Sequence, residues 1–341
     1  MKQRHKVGLQ NIFVIGAGSW GTTLALHCLW VGHSVTLWEK FEDIARSIIE
    51  DRENKTYLPG VPIPPGIEVT LDLATLRKGF DIVIFAIPSK HIREVAKEAE
   101  SYLAGNEIIV SASKGLERGS LLRVSQVLTQ ELGDQFAERI VSLSGPSHAE
   151  EVSRKLPTTI VSASRNLEAA EFIQKALASN HLRVYTNRDI AGVELGGALK
   201  NIIAIANGIC AGLGYGDNTT GALITRGIAE ISRLGTVLGA DPLTFSGLSG
   251  IGDLITTCIS QHSRNRHVGF ELARGRQLDE IVSEMVMVAE GIETTMAAIK
   301  LAEKKAIDMP ITEQVYRVLF EGKDPKLAVD ELMLREPKPE L

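Results

Sequence analysis

The sequence predicts an α/β domain built on a parallel sheet, followed by an all-α domain. Short apolar runs alternate with helical patterns in the first half, a glycine-rich turn follows the first run, and strand signals nearly vanish after about Arg188. Residues 1–188 are expected to form the first domain and residues 189–341 the second. A length of 341 residues fits two domains of ordinary size.

The sheet is expected to contain seven strands. Each run is short, nearly continuous in apolar residues and bounded by turns or helical patterns, which is typical of strands buried on both faces. The runs cover residues 11–16, 34–39, 81–88, 107–113, 139–145, 158–164 and 182–187.

Helical spacing dominates the second half of the chain. Residues 190–211 and 220–238 are expected to be long helices, because apolar residues such as Ile224, Ile228 and Ile231 recur at helical intervals. Shorter helices are expected near residues 265–274, 279–288, 293–305, 311–320 and 326–334.

The composition argues against several classes of protein. A formal net charge of −5 without basic clusters argues against nucleic acid as a partner. Cys28, Cys210 and Cys258 lack metal-ligand spacing, so a reduced, cytoplasmic compartment and no metal site are expected. No apolar stretch approaches the roughly 20 residues that cross a bilayer, so no membrane span is expected.

The segment GAGSWG, residues 16–21, joins the first strand to the first helix. Gly16 permits the tight turn, Gly18 lets a pyrophosphate approach the backbone, and Gly21 lets the helix pack against the strand. The helix N-terminus supplies free N–H groups and the positive end of its dipole. This context predicts a Rossmann domain that binds a nicotinamide dinucleotide.

Glu39 ends the second strand, about twenty residues beyond the glycine motif. A carboxylate there accepts hydrogen bonds from the adenosine ribose and would repel a 2′-phosphate. Lys40 follows and opposes that preference. NAD(H) or NADP(H) is therefore the expected cofactor, with NAD mildly preferred.

Two lysines are placed for chemistry. Lys114 lies just beyond the carboxyl end of a strand, where ligands bind in open α/β sheets. Lys200 lies with Asn201 in an otherwise apolar helix, where loss of solvation lowers the pKa of a lysine. Lys200 is therefore the expected general acid and base.

Three further segments are expected to meet the substrate. The loop that contains Gly145, Ser147 and Ala149 follows a strand and lines the cleft. Asp253 is suited to orient an ammonium group or to accept a hydrogen bond from a substrate hydroxyl. Ser263–Asn265 opens a helix, where an arginine and backbone N–H groups suit a phosphate.

These segments, in this order, resemble NAD(P)-dependent glycerol-3-phosphate dehydrogenases of the bacterial type over nearly the whole chain. The similar segments are GAGSWGTTLA, ASKGLE, SGPSHAEE, ELGGALKN, ALITRG and GLSGIGDLITTC followed by SRNR. The resemblance implies reduction of dihydroxyacetone phosphate to sn-glycerol 3-phosphate, a phospholipid precursor, by a cytoplasmic homodimer. Glu39 before Lys40 departs from a family pattern of a small or neutral residue followed by a basic one.

The resemblance assigns roles at matching positions. It implies that Lys200 is the general acid and base, with Lys114, Asp253 and Thr257 as the other catalytic residues. The expected substrate contacts are Lys114, Gly145, Ser147, Lys200, Asp253, Ser263, Arg264 and Asn265. The expected cofactor contacts include the glycine loop and Glu39. They are Gly16, Gly18, Ser19, Trp20, Gly21, Glu39, Lys40, Lys114, Ala149, Arg264, Val288 and Glu290.

Two alternatives remain at this stage. One is another β-hydroxyacid-type dehydrogenase acting on a carboxylate substrate, against which the SRNR segment favours phosphate. The other is a dinucleotide-sensing protein without turnover, against which Lys200 in an apolar helix favours catalysis.

Overall fold

A computed structural model describes residues 8–337 and 339–340. The strands are β1 (Asn11–Ile15), β2 (Ser34–Trp38), β3 (Glu53–Asn54), β4 (Leu58–Pro62), β5 (Ile67–Thr70), β6 (Ile82–Phe85), β7 (Ile108–Ser111), β8 (Ile140–Ser144), β9 (Thr158–Ala163) and β10 (Leu182–Asn187). The helices that alternate with these strands are α1 (Ser19–Trp30), α2 (Glu42–Asp51), α3 (Ile92–Glu100), α4 (Val124–Leu132), α5 (Ala149–Val152) and α6 (Leu167–Leu177). The helices that follow are α7 (Ile190–Gly212), α8 (Asp217–Val237), α9 (Asp253–Ile259), α10 (Arg264–Ala273), α11 (Leu278–Glu284), α12 (Glu290–Lys305), α13 (Pro310–Phe320) and α14 (Pro325–Met333).

The main sheet has eight strands in the order β10-β9-β8-β7-β6-β1-β2-β5. The seven expected strands are all present, and the predicted fold class is confirmed. The expectation of a wholly parallel sheet is wrong at one pair, because β8 and β9 run antiparallel. Only the four-residue α5 lies between them, so the chain turns back instead of making the crossover that parallel strands need.

Both faces of this sheet are covered. Ile12 and Val14 of β1 pack into one apolar core, while Phe13 and Ile15 pack into another on the opposite face. All four side chains are fully buried. This arrangement explains why the strand reads as a continuous apolar run rather than an alternating one.

The helical part is organised around α7. The helix has 23 residues and contains an 18-residue window with a mean hydropathy of 1.3, so it is long and apolar enough to cross a membrane by length and composition. The expectation that no apolar stretch approaches that length is therefore wrong. Glu194, Lys200 and Asn201 interrupt the apolar run in the sequence, but the helix as a whole still reaches that length. In the structure, 89% of the apolar window is buried among other elements, which identifies α7 as a core helix.

Glycines bring α10 against α7. A Cβ on Gly208 of α7 would overlap the Arg266 carbonyl oxygen, and one on Gly269 of α10 would overlap the Ile205 carbonyl oxygen. The N-terminus of α10 is thereby held close to α7 and to Lys200. The domain division at residue 188 stays a prediction; β10 ends at Asn187 and α7 begins at Ile190.

Candidate active site

The glycine loop joins β1 to α1 as predicted. Gly16 has a φ of +104°, and a Cβ there would lie 2.5 Å from Ile87 Cγ2. A Cβ on Gly21 would overlap the Gly16 carbonyl oxygen. Gly18, by contrast, has no described atom within 4 Å of its would-be Cβ. The loop is therefore tightly packed at Gly16 and Gly21 but open at Gly18. The open side leaves room for a pyrophosphate.

The start of α1 is suited to an anion. Gly18 is the N-cap residue, and no side chain among the described residues caps this end. The backbone N–H groups of the first turn, including those of Ser19 and Trp20, are thus directed at the open space. The Trp20 side chain packs against the apolar core beside α1. These residues fit a dinucleotide, as predicted.

Glu39 is turned toward the loop itself. Its carboxylate Oε2 accepts a hydrogen bond from the Ala17 N–H at 3.0 Å, and Oε1 accepts one from the Phe41 N–H at 3.0 Å. The side chain is buried, and burial raises its pKa. Each carboxylate oxygen has one backbone N–H partner and keeps a further lone pair, so its expected contact with the ribose stays a prediction. The preference for NAD, which rested on it, stays a prediction.

Lys114, Lys200 and Asp253 form one hydrogen-bonded cluster. Asp253 Oδ1 lies 2.7 Å from Lys200 Nζ, and Oδ2 lies 2.7 Å from Lys114 Nζ. Lys200 Nζ also donates to Thr257 Oγ1 at 2.5 Å. Lys200, Asp253 and Thr257 are at most 5% exposed. Three distant segments of the chain, the loop after β7 and the helices α7 and α9, thus meet at the carboxyl edge of the sheet.

The electrostatics of this cluster favour proton transfer near neutral pH. Burial, with a smaller contribution from the charge of Lys114, lowers the pKa of Lys200 to about 8, although Asp253 opposes the shift. Burial would raise the pKa of Asp253, but the two lysines together hold it below its ordinary value. The cluster therefore pairs a permanently charged carboxylate with an ammonium group that can lose its proton.

The loop after β8 supports the same cluster. Gly145 has a φ of +117°, and its carbonyl oxygen accepts hydrogen bonds from Lys114 Nζ at 3.1 Å and from Ser147 Oγ at 3.0 Å. Ala149 begins α5 and is buried, with its carbonyl oxygen 3.5 Å from Thr23 Oγ1 of α1. The structure therefore places these three predicted residues between Lys114 and the cofactor helix.

Ser263–Asn265 opens α10 as expected. Ser263 caps the helix, its Oγ accepting a hydrogen bond from the Arg266 N–H at 3.2 Å. Arg264 has an exposed side chain whose Nη1 donates to the Val288 carbonyl oxygen at 3.3 Å. Asn265 Oδ1 accepts a hydrogen bond from the Gly291 N–H at 2.9 Å. The predicted phosphate residues are thus fixed to the segment that holds Val288.

Glu290 connects the helical part to the sheet. Its carboxylate accepts hydrogen bonds from the Ser89 N–H at 2.9 Å and the Ser89 Oγ at 2.5 Å. Burial raises the pKa of Glu290.

Lys40 lies apart from the lysine cluster and pairs with Glu94 at 3.3 Å. The predicted residues therefore form a lysine cluster, an α10–α12 junction and a group at the end of β2.

The family comparisons agree with this geometry. The family model for the NAD-dependent glycerol-3-phosphate dehydrogenase N-terminus matches residues 11–170, and the model for the C-terminus of the same family matches residues 189–330. The chain belongs to the glycerol-3-phosphate dehydrogenase family. The resemblance inferred from the sequence motifs is thereby confirmed.

The similarity to named relatives extends over nearly the whole chain. A glycerol-3-phosphate dehydrogenase [NAD(P)+] of Pelotomaculum thermopropionicum is 54% identical over 325 residues, covering 95% of this chain and 93% of the relative. One from Geobacillus thermodenitrificans is 53% identical and covers 98% and 97%. The crystal structure of glycerol-3-phosphate dehydrogenase from Coxiella burnetii superposes with a TM-score of 0.91 at 39% identity, covering 96% of this chain and 99% of that one.

Some supporting residues have no obvious sequence signal. Asn54, from the small β3–β4 hairpin, donates to the Ala17 carbonyl oxygen at 2.6 Å and to Thr22 Oγ1 at 2.9 Å, which holds the glycine loop from below. Sequence reasoning missed it because nothing local links residue 54 to the loop.

A buried acid on α7 supports the helix that carries Lys200. Glu194 Oε2 pairs with Arg123 Nη1 at 2.5 Å, and Oε1 accepts from the Ser125 N–H at 2.7 Å. Glu194 thereby caps α4 from a different helix. The available signal was an acidic residue in an apolar helix, two turns before Lys200.

Proposed function

We propose that this chain reduces dihydroxyacetone phosphate to sn-glycerol 3-phosphate with NADH or NADPH, which supplies the glycerol backbone of phospholipids. The observation that carries the proposal is the buried Lys200, held by Asp253 and Thr257 beside Lys114 at the carboxyl edge of the sheet. A bound nicotinamide supplies the hydride for the ketone carbon.

Lys200 is the proton donor in this proposal. As the ketone carbon is reduced, negative charge develops on its oxygen, and Lys200 Nζ gives that oxygen a proton. Asp253 and Thr257 orient the ammonium group, and Lys114 adds a second positive charge. Because these groups are held in place before the reaction, little reorganisation is needed as the charge appears.

Arg264 and the N-terminus of α10 bind the substrate phosphate in this proposal. The guanidinium forms charge-assisted hydrogen bonds with phosphate oxygens, and the helix N-terminus adds backbone donors. Gly145, Ser147 and Asn265 are further substrate contacts in this proposal. Binding the phosphate holds the ketone in position for reduction.

The proposal is tested by the loss of NADH absorbance after addition of dihydroxyacetone phosphate, compared with a 2-ketoacid. Turnover of dihydroxyacetone phosphate but not of the ketoacid supports the proposal. Turnover of the ketoacid alone would assign the chain to the β-hydroxyacid-type dehydrogenases. Dinucleotide binding without turnover of either substrate would indicate a sensor.

D-Mandelate dehydrogenase shares the fold at a TM-score of 0.63 and 12% identity. This likeness concerns the fold alone.

The pH profile is expected to report the Lys200 pKa of about 8. Reduction needs protonated Lys200, so its kcat should be level below about pH 7 and fall as the pH rises through 8. Oxidation of sn-glycerol 3-phosphate needs neutral Lys200, so its kcat should rise over the same range. Steady-state rates in both directions check this; profiles of the same sign in both directions would contradict it.

A homodimer in the cytoplasm completes the proposal. The dimer rests on the family resemblance, and the compartment is supported by Cys28, Cys210 and Cys258, which are all free and buried. Light scattering of the purified protein tests the dimer, for which a mass of twice 37.0 kDa is expected. A mass of 37.0 kDa at working concentrations would contradict it.

A further inference from the structure

We infer that Glu94 tunes the cofactor preference by holding the Lys40 ammonium in an ion pair that competes with a 2′-phosphate. The inference rests on the proposed function, because it assumes that the glycine loop binds NADH or NADPH. Lys40 Nζ lies 3.3 Å from Glu94 Oε1, and the two side chains are 56% and 65% exposed. The pair is therefore accessible to a ligand.

Lys40 is the residue placed to meet the adenosine ribose. In dinucleotide-binding folds of this kind, the end of the second strand faces the ribose, where an acid binds the 2′-hydroxyl or a base accommodates the 2′-phosphate. Glu39 occupies that position in sequence, but its carboxylate is buried and bound to the Ala17 and Phe41 N–H groups. Its neighbour Lys40 is exposed and is therefore a cation at this strand end that a 2′-phosphate can reach.

The topology places Lys40 and Glu94 on opposite sides of the end of β1, where the cofactor is expected to bind. Lys40 follows β2, whereas Glu94 lies in the first turn of α3, beyond β6. In the sheet, β1 lies between β6 and β2. The ion pair consequently spans the carboxyl end of β1, where the glycine loop begins.

Other charged groups surround the same position. Burial, Lys90 and Lys40 lower the pKa of His91, while Glu94 opposes them. Lys40, Lys90 and Glu94 are thus close enough to act on one imidazole. Among the groups acting on that ring, Glu94 is the carboxylate that competes with an incoming phosphate for the lysines.

The competition affects the two cofactors differently. NADH presents a neutral 2′-hydroxyl and leaves the Lys40–Glu94 pair intact. NADPH presents a dianion, which competes with Glu94 for the Lys40 ammonium. Because an exposed ion pair is weak, Glu94 should reduce NADPH binding about 5-fold rather than abolish it.

The test is a fluorescence titration of NADH and NADPH onto the purified enzyme, which measures Kd without turnover. Glu94→Gln should lower the Kd for NADPH about 5-fold and leave the Kd for NADH within about twofold. Glu98→Gln is the matched control, because it removes one exposed carboxylate from the same helix and keeps the Lys40–Glu94 pair. It should leave the ratio of the two Kd values unchanged.

A double mutant separates the mechanism from simple repulsion. In a Lys40→Gln background, Glu94→Gln should no longer improve NADPH binding, since there is no ammonium left to release. An equal gain in both backgrounds would overturn the inference, as would an unchanged Kd ratio in Glu94→Gln or the same shift in Glu98→Gln. Failure to bind either dinucleotide would overturn the proposed function and this inference together.

Discussion

Lys200→Ala is expected to lower kcat at least about 100-fold in both directions, the usual scale for loss of a general acid and base. Lys200 Nζ contacts both Asp253 Oδ1 and Thr257 Oγ1 inside a buried cluster. Since Lys200 is not among the expected cofactor contacts, the Kd for NADH should change little. Steady-state kinetics and a fluorescence titration measure the two quantities.

Lys200→Arg is the informative control. Arginine keeps the positive charge beside Asp253 but does not give up its proton at accessible pH. If proton transfer is the role of Lys200, this variant should also lose most of its turnover and the pH dependence near 8. Near-normal kcat in Lys200→Ala would remove Lys200 from the mechanism, and near-normal kcat in Lys200→Arg would limit its role to charge stabilisation.

The sequence predicted the strands well because burial on both faces leaves a strong signal. In β1, neighbouring residues such as Ile12 and Phe13 pack into opposite cores, so every position is apolar. The edge strand β5 and the short β3 mix polar and apolar residues, and β4 contains two prolines and a glycine, so none of the three gave a strand signal. Strand direction was also out of reach at β8 and β9, since an apolar run carries no direction.

The candidate site could be predicted in its members but not in their pairing. Lys200 was identifiable as a charge in an apolar helix, yet no local pattern shows that the two oxygens of Asp253 each bind one lysine. Glu39 reads the same whether it faces a ribose or the loop backbone. The Lys40–Glu94 pair joins residues 54 positions apart, and only the order of the strands brings them together.

Arg264→Ala is expected to raise the KM for dihydroxyacetone phosphate about 10- to 100-fold, because a hydrogen bond to a charged group contributes about 1.5–3 kcal/mol. Unphosphorylated dihydroxyacetone has no phosphate to lose, so its low kcat/KM should be the same in variant and wild type. Arg274→Ala is the matched control, since Arg274 ends the same helix and stacks on Phe270. It should leave both substrates unaffected.

Arg264 was also expected to contact the cofactor, and the two roles can be separated. Its Nη1 bonds to the Val288 carbonyl oxygen in the segment that leads to Glu290, so the side chain contacts one of the predicted cofactor residues. A phosphate role alone leaves the Kd for NADH unchanged in Arg264→Ala. A weaker Kd for NADH together with equal losses for both ketones would show that Arg264 binds the cofactor and not the substrate phosphate. Arg264→Lys sharpens the assignment, because it keeps the charge but loses the planar fork that binds two phosphate oxygens at once, and should recover only part of the affinity.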